Sequence, residues 1–79
     1  MSWQNYIDSN PDILSGKPIF KGTRISIEFI FDLLSKGWTK EQILENYHSL
    51  SKESLNAAFL FVIDVIKDES LYFIRKDAA

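Results

Sequence analysis

Apolar and polar positions divide the chain into two stretches of different rhythm. Through residue 25 the apolar residues fall in short runs, Ile13-Leu14, Ile19-Phe20-Lys21 and Arg24-Ile25, some with a flanking basic residue, broken by turn formers. Asn10-Pro11-Asp12 is a turn signal, because proline fixes its own φ and the flanking Asn and Asp bond back to nearby backbone. Ser15-Gly16 and Gly22-Thr23 make two further breaks. The pattern predicts a tight β-hairpin across Gly22-Thr23, with Ile19-Phe20-Lys21 and Arg24-Ile25 as its strands. A lone hairpin is marginal in water, so this one is expected to lie on helices or against a second chain's hairpin.

From residue 26 the period becomes helical. Ile27, Ile30, Phe31 and Leu34 recur at i, i+3, i+4 and i+7 and predict a first helix of about residues 27–36 with Ser26 as its N-cap. Ile25 and Ile30 stand where a hydrophobic staple would, and Lys36-Gly37 reads as a C-terminal stop. Thr39-Lys40-Glu41-Gln42 fits a capping box and opens a second helix to about Tyr47, with Trp38 and Ile43 as its staple. That helix has only about two turns, so packing must hold it. Ser51 caps a third and longest helix, about residues 52–67, with Leu50 and Leu55 as its staple. Its apolar residues form two stripes, Leu55/Phe59/Val62/Ile66 and Ala57/Leu60/Phe61/Val65. A helix packed on one side of a small domain needs only one. Leu71, Tyr72, Phe73 and Ile74 add a further cluster. The apolar surplus predicts a partner surface.

The expected organisation is one domain: a β-hairpin arm over residues 1–25, a tri-helical core over 26–68 and a C-terminal tail over 69–79. Three helices joined by short connections, the first containing glycine, are the local signature of a mainly α helix-turn-helix domain. A three-helix bundle with no DNA role, or a fragment that completes a fold with a partner, carries the same pattern.

Composition narrows this reading. The chain has 79 residues, no Cys, one His, 46% hydrophobic and 14% aromatic residues, and a formal charge of −2. It is too apolar for a disordered chain and long enough for one domain. Without Cys it has no disulfide, no thiolate nucleophile and no Cys-based zinc site. Small domains without such staples rely on a good core or a partner subunit. The chain is not a polycation, so any nucleic-acid contact must come from a local patch. Such a patch exists: residues 13–27 hold Lys17, Lys21 and Arg24 and no acidic residue, whereas residues 28–79 hold six basic and nine acidic ones. The first residues have neither a basic nor an apolar region of the signal-peptide kind. The longest apolar run, residues 57–66, is interrupted by Asp64 and is about half of a membrane span. A cytoplasmic protein without membrane contact is the expectation.

Two elements carry a family resemblance. Gly16-Lys17-Pro18-x3-Gly22-Thr23-Arg24-Ile25 is followed by Gly37-Trp38-Thr39-x-Glu41-x-Ile43-Leu44-x2-Tyr47, then by Leu50 and Ala57-Ala58. In that order they resemble the domain-of-unknown-function 433 family over about residues 6–65. The resemblance implies a small homeodomain-like helix-turn-helix fold. It also implies a role like that of the antitoxin halves of type II toxin–antitoxin pairs, often encoded beside a PIN-like nuclease toxin. One departure is His48, where the family usually has Pro after the Tyr; it leaves the turn between the second and third helices less rigid.

Candidate sites follow. Lys17, Lys21 and Arg24 form the one basic segment, suited to phosphate contact and doubled in a dimer. The alternative is that Arg24 pairs with Asp32 or Asp8 and fixes the hairpin, with both lysines solvated. Ser51, Lys52 and Asn56 open the third helix, where a recognition helix reads base edges; Glu53 among them is unfavourable near phosphate. The alternative is an ordinary capped first turn. Phe59, Phe61, Val65, Leu71, Tyr72 and Phe73 are candidates for a homodimer or toxin interface rather than the domain's own core. His48 has no second His or Cys at ligand spacing, and Gly22-Thr23-Arg24 lacks the spacing of a phosphate-binding loop. No enzyme, metal or cofactor is expected. The combined expectation is a homodimeric antitoxin that neutralises a PIN-like toxin and binds its own promoter DNA. The alternative is a small homodimeric interaction module with no nucleic-acid role.

Overall fold

Side-chain caps set the three helix starts. In a computed structural model that describes residues 2–67, the helices are α1 (Ile27–Ser35), α2 (Lys40–Asn46) and α3 (Lys52–Ile66). Ser26 Oγ accepts from the Phe29 backbone N–H at 2.9 Å. Thr39 Oγ1 accepts from the Gln42 N–H at 3.1 Å, and Gln42 Oε1 accepts from the Thr39 N–H at 2.8 Å, closing the capping box. α3 opens with a second reciprocal box in which Ser54 takes the place of the usual Glu or Gln: the Ser51 N–H donates to Ser54 Oγ at 2.8 Å, and the Ser54 N–H to Ser51 Oγ at 3.1 Å. α1 ends in a Schellman turn. The Trp38 N–H donates to the Leu33 carbonyl and the Gly37 N–H to the Leu34 carbonyl, each at 3.1 Å, around Gly37 at φ +97°.

The β pairing differs from the one expected. Strand β1 (Ile7–Asp8) pairs antiparallel with β2 (Ile19–Phe20), Ile7 opposite Phe20 and Asp8 opposite Ile19. The turn at Gly22-Thr23 does form: the Thr23 N–H donates to the Phe20 carbonyl at 3.0 Å, and the Phe20 N–H to the Ile25 carbonyl at 2.9 Å. Beyond it, residues 24–26 add only an isolated bridge, Ile19 to Ser26. The reason is local. Ser26 is extended, bridges Ile19 and caps α1 at once, and the helix that begins at Ile27 ends the pairing there; the two-residue partner of β2 comes instead from earlier in the chain. Ile13-Leu14 is not a strand either, because Leu14–Gly16 is a 3₁₀ turn with Leu14 and Ser15 both at positive φ.

The core joins all of these elements. Ile7 and Phe20 from the strands, Ile27, Ile30 and Leu33 from α1, Ile43 from α2, Leu50 from the turn, and Leu55 and Ala58 from α3 form one buried cluster. Phe20, Ile30 and Ile43 are fully buried. The buried face of α1 is Ile27, Ile30 and Leu33, with Ile30 at its centre, and Phe31 and Leu34 are half-buried at its edges. α3 is buried only over its first half. Its last turns leave the core, with Ile63, Val65 and Ile66 exposed. The N-terminal turn Trp3–Asn5 binds that outgoing half: Trp3 Nε1 donates to Asp64 Oδ2 at 2.6 Å, and its ring meets Phe61 edge-on at 4.8 Å between centroids. The protein is thus mainly helical, with three helices and a two-stranded antiparallel pairing near the N-terminus. Among the described residues no helix is long and apolar enough to cross a membrane.

Candidate functional site

The three basic residues of the N-terminal segment do not share one position. Lys17 and Arg24 line a single open cavity of about 580 Å³, together with Leu14, Ile25, Ser26 and Phe29. Lys21 stands apart from them and directs Nζ toward the Gln4 carbonyl at 3.5 Å. Lys17 Nζ pairs with Glu28 Oε1 at 3.0 Å on open surface. Arg24 makes no ion pair or hydrogen bond among the described residues. Its two expected partners are engaged elsewhere: Asp8 Oδ1 accepts from the Ser9 N–H at 2.8 Å, and Asp32 pairs with Lys36 at 2.9 Å. Arg24 is therefore a solvent-facing cation rather than a fastener of the strands.

The start of α3 forms a second place. Lys52 and Asn56 line a groove of about 260 Å³ between α2 and α3, with Lys40, Glu41, Leu44 and Leu55. Ser51 Oγ is taken up by the cap. The groove and the cavity at Arg24 share no lining residue. Lys40 was not among the residues expected here. It opens α2, and only the packing of α2 on α3 brings it beside Lys52. Its Nζ also lies 5.0 Å from the centre of the Phe59 ring, within range of a cation–π contact.

The apolar candidates are covered to different degrees. Phe59 is half-buried against Phe31, ring centroids 5.2 Å apart, and Phe61 is half-buried against Trp3. Val65 is 46% exposed, and Ile63 (46%) and Ile66 (58%) join it. Ile63 falls in neither of the stripes expected for α3, which hid it from a reading by period. Leu71, Tyr72 and Phe73 lie outside the described residues. His48 does something specific in the α2–α3 turn: its Nε2 sits 2.7 Å from the Glu45 carbonyl, which can only accept, so the ring N–H donates and ties the end of α2. Among the described residues no group of three or more His, Asp or Glu side chains is arranged to hold a metal ion.

Comparison with known proteins agrees with the architecture. The family described as "Protein of unknown function (DUF433)" matches residues 7–62. A crystal structure of a DUF433 member protein from Anabaena variabilis ATCC 29413 superimposes with a TM-score of 0.72 and 25% identity, covering 96% of this chain and 71% of that one. "Uncharacterized protein y4eO" of Sinorhizobium fredii (strain NBRC 101917 / NGR234) is 33% identical over 55 residues, 70% of this chain. The chain spans 25% of the length of that curated relative. With the family match running from β1 to Val62 in α3, and a solved member sharing the architecture, the chain belongs to the DUF433 family.

Proposed function

We propose that this protein is the antitoxin of a type II toxin–antitoxin pair, a cytoplasmic homodimer that neutralises a PIN-like nuclease toxin and binds its own promoter DNA. The observation that carries the reading is the division of α3. On the outer side of its first turns Lys52, Glu53 and Asn56 are exposed, while Ser54 and Leu55 face inward, and Lys52 and Asn56 line a groove that also holds Lys40. Its last turns are apolar and exposed at Ile63, Val65 and Ile66. One helix thus offers a nucleic-acid end and a protein end.

In this reading α2, the turn and α3 make the helix-turn-helix of a homeodomain-like domain, with α3 as recognition helix. Lys52 and Asn56 read base edges, Ser51 orders the helix start, and Lys17, Lys21 and Arg24 meet phosphates. Phe59, Phe61 and Val65, extended by Ile63 and Ile66, meet the toxin or the second protomer. The role is binding rather than catalysis. Glu41 in the groove and Glu53 on the first turn of α3 favour the second reading, an interaction module with no nucleic-acid role.

Fluorescence anisotropy on duplex DNA from upstream of its own gene separates the two. The promoter reading expects binding that falls steeply with salt. It also expects about a tenfold or greater loss in the Lys21→Ala/Lys52→Ala double variant. No binding at low salt would remove the promoter half of the proposal. The toxin half is tested by growth on co-expression with the neighbouring gene.

A further inference from the structure

We infer that the cavity lined by Lys17, Arg24 and Phe29 is a binding site for a small organic carboxylate with an apolar body. Its volume of about 580 Å³ falls in the range of small-molecule pockets, about 300–1,000 Å³. The walls are chemically divided. Leu14, 44% exposed, and Phe29, 39% exposed, both line it, with half-buried Ile25 beside them. Among the described residues the other large exposed apolar side chains are all at the end of α3. Among the described residues apolar exposure therefore falls at two places, and this one lines an open cavity that also holds two cations. The Leu14-Ser15-Gly16 turn, at φ +50°, +57° and +84°, holds Leu14 at the rim. A leucine in left-handed backbone is uncommon, and such strain collects at sites that hold ligands.

The polar side of the cavity specifies the charge. Arg24 has no acidic partner among the described residues, and its planar fork matches a carboxylate through two parallel N–H donors. Lys17 is the second cation. It is offset by Glu28, 3.0 Å away, which lines an adjoining cavity and not this one. Two cations and one neighbouring carboxylate leave a single net positive charge. That suits a monoanion better than a doubly charged phosphate. Lys17 and Glu28 are 58% and 72% exposed, so their pair is weak and Lys17 can turn to a ligand. The cavity shares Lys17 and Arg24 with the phosphate contacts of the promoter reading, but a titration without DNA tests the carboxylate site apart from that reading.

The test is a ¹H–¹⁵N titration of the full chain with octanoate, with 1-octanol and with inorganic phosphate. Octanoate is expected to give saturable shifts at the amides of residues 14–17 and 24–29. Octanol should bind about tenfold or more weakly, and Arg24→Gln should weaken octanoate by about the same factor while the rest of the spectrum is unchanged. Lys17→Gln should cause a smaller loss. Shifts confined to residues 63–66, equal binding of octanol, or phosphate binding as tightly as octanoate would each overturn the inference. If Arg24→Gln does not fold, the three-probe comparison on the unaltered chain still decides.

Discussion

Gly37 shows how a single residue sets the course of the chain. It stands at φ +97°, and a Cβ built there meets nothing within 4 Å. The need for glycine is therefore one of backbone conformation alone. Gly37→Ala is expected to lower stability by about 1 kcal/mol, seen as a lower urea midpoint with an unchanged slope. Ile30 illustrates the opposite cause. It is fully buried between α1 and the rest of the core, so Ile30→Ala should cost about 2–5 kcal/mol through lost burial and a cavity. Small domains hold only about 5–15 kcal/mol in all, so that variant should be largely melted at temperatures where Gly37→Ala is still folded. Both residues were legible in the sequence, one as a stop signal after Lys36 and the other as the centre of an apolar period. Arg24 was legible only as a charge. That it stands clear of Asp8 and Asp32 depends on where the strands sit against α1, which no local pattern encodes.

At the scale of elements, local chemistry and long-range pairing separate cleanly. The starts of α1, α2 and α3 are written in Ser26, Thr39 and Ser51, because a cap acts over three residues. Thr39→Ala should destabilise by about 1 kcal/mol, since it removes one half of a reciprocal box from a helix too short to persist alone. Loss of α2 helicity without loss of stability would contradict that account. The partner of β2 was not legible. Ile7-Asp8 is a two-residue strand with no alternating pattern, and it pairs with Ile19-Phe20 only because Ile7 and Phe20 enter the same core. Lys40 was missed for a similar reason. Its place beside Lys52 comes from helix packing, not from spacing along the chain. The bond from Trp3 to Asp64 spans 61 residues and had no signal at all. Trp3→Ala should release the N-terminal turn and cost about 1–2 kcal/mol, through the lost edge-on ring contact with Phe61 and the lost indole bond. Faster amide exchange in residues 3–8 would show it.

The whole molecule is a small core with one helix running past it. The first half of α3 is committed to Leu55, Ala57 and Ala58 inside, and the second half carries Ile63, Val65 and Ile66 outside. A surplus of apolar residues was readable from composition and from the two stripes on α3. Its location was only half readable, because Phe59 and Phe61 are partly covered by Phe31 and Trp3. The exposed end predicts a dimer by light scattering at micromolar concentration, converted toward monomer by Ile63→Asp/Ile66→Asp while the helical signal is kept. A monomer for the unaltered chain would contradict the dimer. The most direct measurement is growth. If the gene beside this one encodes the proposed PIN-like toxin, a host expressing it should stop growing, resume when this chain is co-expressed, and stop again with the Ile63→Asp/Ile66→Asp variant. A host whose growth is the same with and without this chain would contradict the antitoxin account.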